Sequence, residues 1–236
     1  MKFRKLTLEE ENICHSVMGS YAFYHVCMNA LLNREALSVI RVSDGEKAAL
    51  DYCERQRRHY RGGPDDPLLC CDAGFRKRFG VEGISCGEIS KRIYAAADEC
   101  DYFAPTLGFY NEPYNLTPYF NFDSKRNMVC EMYQYHWPWN RRRALMSVAG
   151  RVLVINRDAA PCSRLQARLP ECELIHLPLD NWQESEEVLK EAIVLNPRLT
   201  LMSAALGSKY IGPRLAKLTH SVVLDIGQAA DIWDGN

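Results

Sequence analysis

No stretch of this sequence approaches the roughly 18 consecutive apolar residues that a membrane span requires. A charge excess is missing as well: 29 Lys and Arg stand against 30 Asp and Glu, a formal net charge of -1. Nucleic-acid binders carry a basic excess to neutralise phosphates, so nucleic acid is not an expected partner. The ten cysteines contain no Cys-x-x-Cys spacing, and the adjacent Cys70-Cys71 pair does not easily converge on one ion, which argues against structural zinc. Met1-Lys2-Phe3-Arg4-Lys5 turns acidic by Glu9-Glu10-Glu11 and fits neither a secretory leader nor a transit peptide. Dispersed cysteines without a leader read as reduced thiols rather than as a disulfide framework. A soluble, cytoplasmic protein is expected. Three basic clusters keep a peripheral seat on the inner face of a membrane open: Arg55, Arg57, Arg58 and Arg61; Arg76-Lys77-Arg78; and Arg141-Arg142-Arg143. A solvated helix face is the commoner reading of each.

What is present suits a packed core. Hydrophobic side chains make up 47% of the 236 residues and charged ones 25%, enough for a single globular domain over 1–236. Thr7-Leu8-Glu9-Glu10 reads as a capping box, and Ile13, Val17, Tyr21, Tyr24, Met28 and Leu31 follow at steps of three or four, which predicts a helical extension within residues 1–36. From Leu37 an apolar run reads as a strand that stops at the carboxylates of Asp44 and Glu46, Lys47 to Cys53 as helix, Gly62 to Pro67 as a loop, Ile84 to Glu99 as helix and Tyr102-Phe103-Ala104 as a short buried strand. Residues 107–140 are aromatic, broken by Pro113, Pro118 and Pro138, and weakly periodic. Such rings either line a pocket for sugars or seal a core.

The last third is regular. Arg151–Asn156, Glu173–Leu177, Leu199–Ser203 and Ser221–Asp225 are short apolar runs separated by helical stretches. Continuously apolar strands alternating with amphipathic helices imply an α/β, Rossmann-like fold: a mainly parallel sheet with helices on both faces. Ligands of such sheets gather at the carboxyl ends of the strands. The polar residues there are Asp44 and Glu46, Asn156 and Arg157, Asn181, Gly207-Ser208-Lys209, and Asp225 with Gly227 and Gln228.

Two of these places carry chemistry. A turn through Gly45 would relax the strand alternation and let Asp44 and Glu46 face one point, as oxygen ligands for a divalent ion carrying a diphosphate. The competing reading makes Ser43 or Asp44 a helix N-cap with Glu46 in the first turn. Gly207-Ser208-Lys209 lacks the Gly-Lys-Ser/Thr ending of an ATPase P-loop, yet a glycine-bearing turn before a helix, with free N–H groups and a lysine, can hold a diphosphate. A plain structural turn fits as well.

Taken together these residues resemble the GT-D type bacterial glycosyltransferases, a family first catalogued as a domain of unknown function. Arg41-Val42-Ser43-Asp44-Gly45-Glu46 is similar to the family's Arg-Phe-Gly-Asp-Gly-Glu signature; Pro178-Leu179-Asp180-Asn181, Leu206-Gly207 with Lys209, and Leu224-Asp225-Ile226-Gly227 follow in matching order. Val42, Ser43 and Gln228 depart from it, where an aromatic residue, glycine and histidine are usual. The resemblance implies that Asp44 and Glu46 bind Mn2+ or Mg2+ and a nucleoside diphosphate sugar, UDP-sugar favoured. It implies transfer of the sugar to a glycan, glycolipid or glycoprotein acceptor. Arg41, Ser43, Gly45, Asn156, Asn181, Gly207, Ser208, Lys209, Gly227 and Gln228 are the expected donor-site residues, Asp225, His136 and Glu131 the candidate bases, and 107–140 the expected acceptor side. A nucleotide-sugar or phosphate-ester hydrolase, and a nonenzymatic nucleotide-binding module, are the alternatives. The sequence fixes no oligomeric state.

Overall fold

The computed structural model describes residues 13, 16–59, 77, 80–106, 116, 119, 120 and 127–233, apart from the side chains of residues 44, 52, 54–59 and 86. In chain order they form α1 (Ser20–Asn33), β1 (Leu37–Val42), α2 (Asp44–His59), α3 (Cys86–Glu99), β2 (Tyr102–Pro105), β3 (Asn127–Met128), α4 (Tyr133–His136), α5 (Trp139–Ala149), β4 (Arg151–Asn156), α6 (Ala160–Arg168), β5 (Glu173–Leu177), α7 (Ser185–Leu195), β6 (Leu199–Ser203), α8 (Ala205–Thr219) and β7 (Val222–Asp225). Single 3-10 segments, Trp182–Glu184 and Gly227–Ile232, precede α7 and follow β7.

The seven strands make one sheet in the order β3-β2-β1-β7-β6-β4-β5, every neighbour parallel. From β1 the chain steps outward to β2 and β3, crosses to β4 and β5 beyond the far edge, then fills the gap with β6 and β7. Strand order therefore reverses beside β1, and the carboxyl ends of β1 and β7 flank the crevice that such a reversal opens. Alternation in the strands feeds two cores. Val39, Val152, Val154, Leu201 and Leu224 face Phe23, Tyr24, Trp137 and Leu145. On the other face Ile40, Val42, Leu153, Ile155 and Val223 meet Leu50, Ile89, Ile93, Leu189, Ile211 and Leu215. Helices on both faces of a parallel sheet are the expected α/β fold. In β1 the polar Ser38 is fully buried because Asp101 accepts both its backbone N–H, at 2.7 Å, and its hydroxyl, at 2.8 Å.

Two expectations need correction. The stripe from Ile13 to Leu31 does not run as one helix face: Met18 bridges Val129 as an added strand position, α1 begins only at Ser20, and Tyr21 is 54% exposed while Phe23 and Cys27 are buried. The buried stripe shares Tyr24 and Leu31 with the expected one, because apolar residues crowd this helix closely enough to fit two registers. The second correction concerns 107–140, where β3, α4 and α5 were not legible. Polar residues occupy core positions in both helices, Gln134 and Arg142, and erase the periodic signal. The Thr7–Glu10 capping box and the Gly62–Pro67 loop lie outside the described residues. Cys27, Cys130, Cys162 and Cys172 are reduced thiols, and burial raises the Cys27 thiol well above its ordinary range. No helix among the described residues is long and apolar enough to cross a membrane.

Candidate functional site

At the reversal point four elements converge. Asp225 ends β7 on the face covered by α8, so it meets Lys209 on the second turn of that helix, Nζ to Oδ2 at 2.5 Å. Both are buried, 2% exposed for Asp225 and 4% for Lys209. Lys209 also reaches Glu46 Oε1 at 3.2 Å and Ser208 Oγ at 3.3 Å, so its three N–H donors have three partners. Burial pushes the ammonium's pKa down, but Asp225 and Glu46 outweigh it and hold the lysine above its ordinary value. Asp225 Oδ2 takes further hydrogen bonds from the Arg41 N–H at 3.2 Å and the Ser208 hydroxyl at 3.2 Å, and Oδ1 accepts from the Gly227 N–H at 3.2 Å. Tyr133, whose hydroxyl donates to the Asp225 carbonyl at 2.7 Å, is held protonated by burial first and by the Asp225 charge second.

The Asp44-Gly45-Glu46 stretch is the first turn of α2 rather than a glycine turn. Glu46 reaches back, its Oε2 accepting the Ser43 N–H at 3.0 Å, which is half of a capping box. One Glu46 oxygen thus caps α2 and the other faces Lys209. Two residues apart on a helix are separated by about 200° around the axis, so the backbone alone does not carry Asp44 and Glu46 to one point. The Asp44 side chain lies outside the described residues. Among the described residues no group of three or more His, Cys, Asp or Glu side chains is arranged to hold an ion.

Above this array opens a cavity of about 830 Å³, within the size range of small-ligand sites. Arg41, Ser43, Gly45, Glu46, Lys209 and Asp225 border it on one side. Asn156, Asn181, Gly227 and Gln228 border it on others, so ten of the expected positions share one space. Asn181 caps the 3-10 turn, its Oδ1 accepting the Gln183 N–H at 3.1 Å. Among the described cations that border the cavity, Arg41 is unspent: its Nε is buried without a hydrogen-bond partner, and no carboxylate pairs with it among the described ion pairs, whereas Arg157 and Lys209 are paired. Gly207 and Ser208 do not border the cavity. They lie inside α8, and the Gly207 N–H already bonds the Ala204 carbonyl at 2.9 Å. A Cβ on Gly207 would stand 2.6 Å from Leu179 Cδ2. Its lack of a side chain therefore serves helix packing, and Gly207→Ala should cost about 1–3 kcal/mol by overpacking. Thermal denaturation checks this, and Leu179→Ala in the same chain should recover part of the loss.

Arg157, expected with Asn156 at its strand end, also lines the cavity and pairs with Asp180 at 2.9 Å, whereas the lining residues Tyr135 and Asp231 were not expected there. Tyr135 and Asp231 come from α4 and the closing 3-10 turn, segments without a strand-end signal. Arg142 pins that turn, donating to the Ile232 carbonyl at 2.5 Å. Its neighbours in the basic run are engaged too, Arg141 over the rings of Tyr21 and Tyr24, and Arg143 on Glu171 at 3.1 Å. His136 Nδ1 shares a hydrogen bond of 2.8 Å with Ser20, and Glu131 accepts from Thr106; neither residue borders the cavity. Of the aromatic segment, Tyr133 and Trp137 seal the core.

The comparison with protein families gives a match to the GT-D fold-like domain over residues 99–233. No curated protein and no solved structure matches the chain. The matched stretch begins after β1 and α2, so Arg41 to Glu46 precede it; yet β1 is hydrogen-bonded between β2 and β7, and its end supplies one wall of the cavity formed by matched residues. With more than half of its length matched, and with the all-parallel sheet and the strand-end site described above, the chain belongs to the GT-D fold-like family.

Proposed function

We propose that the chain is a glycosyltransferase that moves a sugar from a nucleoside diphosphate sugar, UDP-sugar favoured, to a glycan, glycolipid or glycoprotein acceptor. The observation that carries this reading is the unspent Arg41 guanidinium beside the Lys209–Asp225–Glu46 array, at the mouth of a cavity large enough for a nucleotide sugar. Transfer requires the leaving diphosphate to be stabilised as its charge develops. Arg41 is placed to touch it, since a guanidinium offers a planar fork that suits phosphate oxygens. Lys209 is a positioning residue: with all its donors used, it fixes Glu46 and Asp225 rather than contacting the donor. Asn156 is the candidate for ribose or sugar hydroxyls.

Mn2+ or Mg2+ is part of the proposal. Hard ions that carry diphosphates take one or two protein carboxylates and fill the shell with phosphate and water, so Glu46 and Asp44 are the residues that would hold one, in exchange for the contact of Glu46 Oε1 with Lys209. Bound there, the ion would act as a Lewis acid on the diphosphate. Glu46→Gln keeps the cap on α2 while removing the charge, and it should lower donor turnover by about 10²–10³-fold, as should Asp44→Ala. The assay is release of nucleoside diphosphate from a panel of nucleotide sugars, with and without excess EDTA. Full activity in either variant, or in EDTA, removes the ion from the proposal, and no metal-enhanced binding of UDP, GDP or dTDP by calorimetry removes the donor reading itself.

A further inference from the structure

The helices on the two faces of the sheet differ in charge. Those packed on the core around Phe23 and Trp137, namely α1, α4, α5 and α6, contain no Asp or Glu, and α5 and α6 bring Arg141, Arg142, Arg143, Arg164 and Arg168. Those on the opposite face, α2, α3, α7 and α8, taken together mix both signs. The net charge of -1 therefore conceals one basic face. Arg142 is buried on the closing turn, while Arg143 and Arg164 meet Glu171 and Asp231, from outside these helices, at 3.1 and 3.4 Å. Exposed pairs of this kind contribute little, so both guanidiniums can turn to another anion. Arg141 and Arg168 lie on aromatic rings, 4.3 Å from the centre of Tyr21 and 4.4 Å from that of Trp139. These two contacts join α5 to α1 and α6 to α5, so arginines and rings form one continuous surface.

The same face carries apolar side chains that the core does not absorb. α1 has no Asp, Glu, Lys or Arg, and Tyr21, His25, Met28 and Leu32, at steps of four, three and four, form its outer line. Tyr21 and Leu32 are 54% and 60% exposed. An uncharged helix with an apolar outer line is ordinarily covered on that side too. Met132 and Tyr135, both exposed, extend the patch to the large cavity, which Tyr135 borders, and the Ser20–His136 hydrogen bond holds α4 against the start of α1. Apolar and aromatic side chains among arginines, on helices without a carboxylate, are the composition of helices that lie in a lipid–water interface. A second copy of the chain fits this face poorly, because a twofold contact would set its arginines against one another.

We propose that the face formed by α1, α4, α5 and α6 docks on an anionic lipid surface, with Tyr21, Leu32 and Met132 entering the headgroup region and Arg141, Arg143 and Arg168 meeting lipid phosphates. The inference goes beyond the transfer reading and does not depend on it, because vesicle binding involves no nucleotide. Flotation of the full chain is measured with vesicles of phosphatidylcholine alone and of an equal mixture of phosphatidylcholine and phosphatidylglycerol. The chain should float with the mixed vesicles, stay behind with phosphatidylcholine alone, and be released progressively by salt. Leu32→Ser should weaken the binding about tenfold and Arg168→Gln about fivefold, whereas Val194→Ser, at an 84% exposed position of α7 on the opposite face, should leave it unchanged. All three positions are exposed, and circular dichroism verifies that each variant is folded. No flotation with either vesicle overturns the proposal, as does equal binding to both compositions or an equal loss in Val194→Ser. A dimer in solution that Leu32→Ser dissociates would give the face to a second copy, and retention by polyglutamate without binding to vesicles would give it to an acidic protein; either result overturns the lipid assignment.

Discussion

Lys209→Met should lower the stability of the folded chain by about 3–5 kcal/mol, the cost of leaving buried charge uncompensated. Methionine fills nearly the same volume, so little of this is packing. What is lost is the ammonium between Asp225 and Glu46, carboxylates only 2% and 5% exposed. The double variant Lys209→Met, Asp225→Asn should recover part of the loss, since it removes a charge from each side of the pair, while the single amide oxygen accepts from only one of the Arg41 and Gly227 N–H groups that Asp225 serves with its two oxygens. Urea denaturation of the parent and the two variants checks both statements, and a deficit under about 1 kcal/mol would mean that the pair is hydrated as a surface pair is. The pH dependence has a defined sign. Lys209 is held above its ordinary value of 10.5, so its contribution is complete below that pH and is lost as the pH climbs through the raised folded value. The stability difference between parent and Lys209→Met should therefore be flat through neutral pH and should close only in strong alkali. Donor turnover should fall with Lys209→Met at neutral pH, because Glu46 loses the partner that orients its second oxygen toward the cavity.

The sheet was readable because its strands are continuous apolar runs. Arg151–Asn156, Glu173–Leu177 and Leu199–Ser203 have the expected boundaries, and burial on both faces is what keeps Val152–Ile155 and Leu199–Met202 uninterrupted, whereas the edge strand Glu173–Leu177 is buried only at Leu177. Where burial and polarity part company, reading failed. Gln134 and Arg142 are fully or nearly buried, and the helices that carry them could not be seen in an aromatic, proline-broken stretch. The site divides in the same way. Residues at strand ends were found because topology alone puts them together, and Arg41, Glu46, Lys209 and Asp225 converge. Residues whose role depends on side-chain packing were misassigned: Gly207 and Ser208 look like a phosphate loop in sequence but lie within α8, the glycine against Leu179 and the serine on Asp225. The closing 3-10 turn contributes Asp231 through a backbone position that Arg142 holds from another element, a relation with no local signature.

Gly227→Ala should weaken UDP binding by about 10–100-fold through a residue that itself offers no side chain to the nucleotide. Gly227 has φ of +51°, in the left-handed region where a Cβ costs about 1–2 kcal/mol. The larger consequence is contact: that Cβ would stand 1.9 Å from Arg41 Nη1, so the guanidinium must leave its position beside the cavity. The backbone is less free to yield, because the Gly227 N–H is bonded to Asp225 Oδ1 at 3.2 Å and Arg142 holds the other end of the same turn at 2.5 Å. Arg41→Ala should cause a loss of the same size, since it removes the group that Gly227→Ala only displaces. The informative variant is the double one. If the glycine acts through Arg41, Gly227→Ala adds nothing further to UDP affinity in the Arg41→Ala chain, and the two single losses fail to add. Stability should show the opposite pattern: Arg41→Ala clears the space around position 227, so the folding cost of Gly227→Ala drops to the backbone term alone. Calorimetric titration with UDP and thermal denaturation of the four chains give both cycles. Additive losses in affinity would mean that Gly227 serves the nucleotide through its own backbone, with Arg41 bound elsewhere on it.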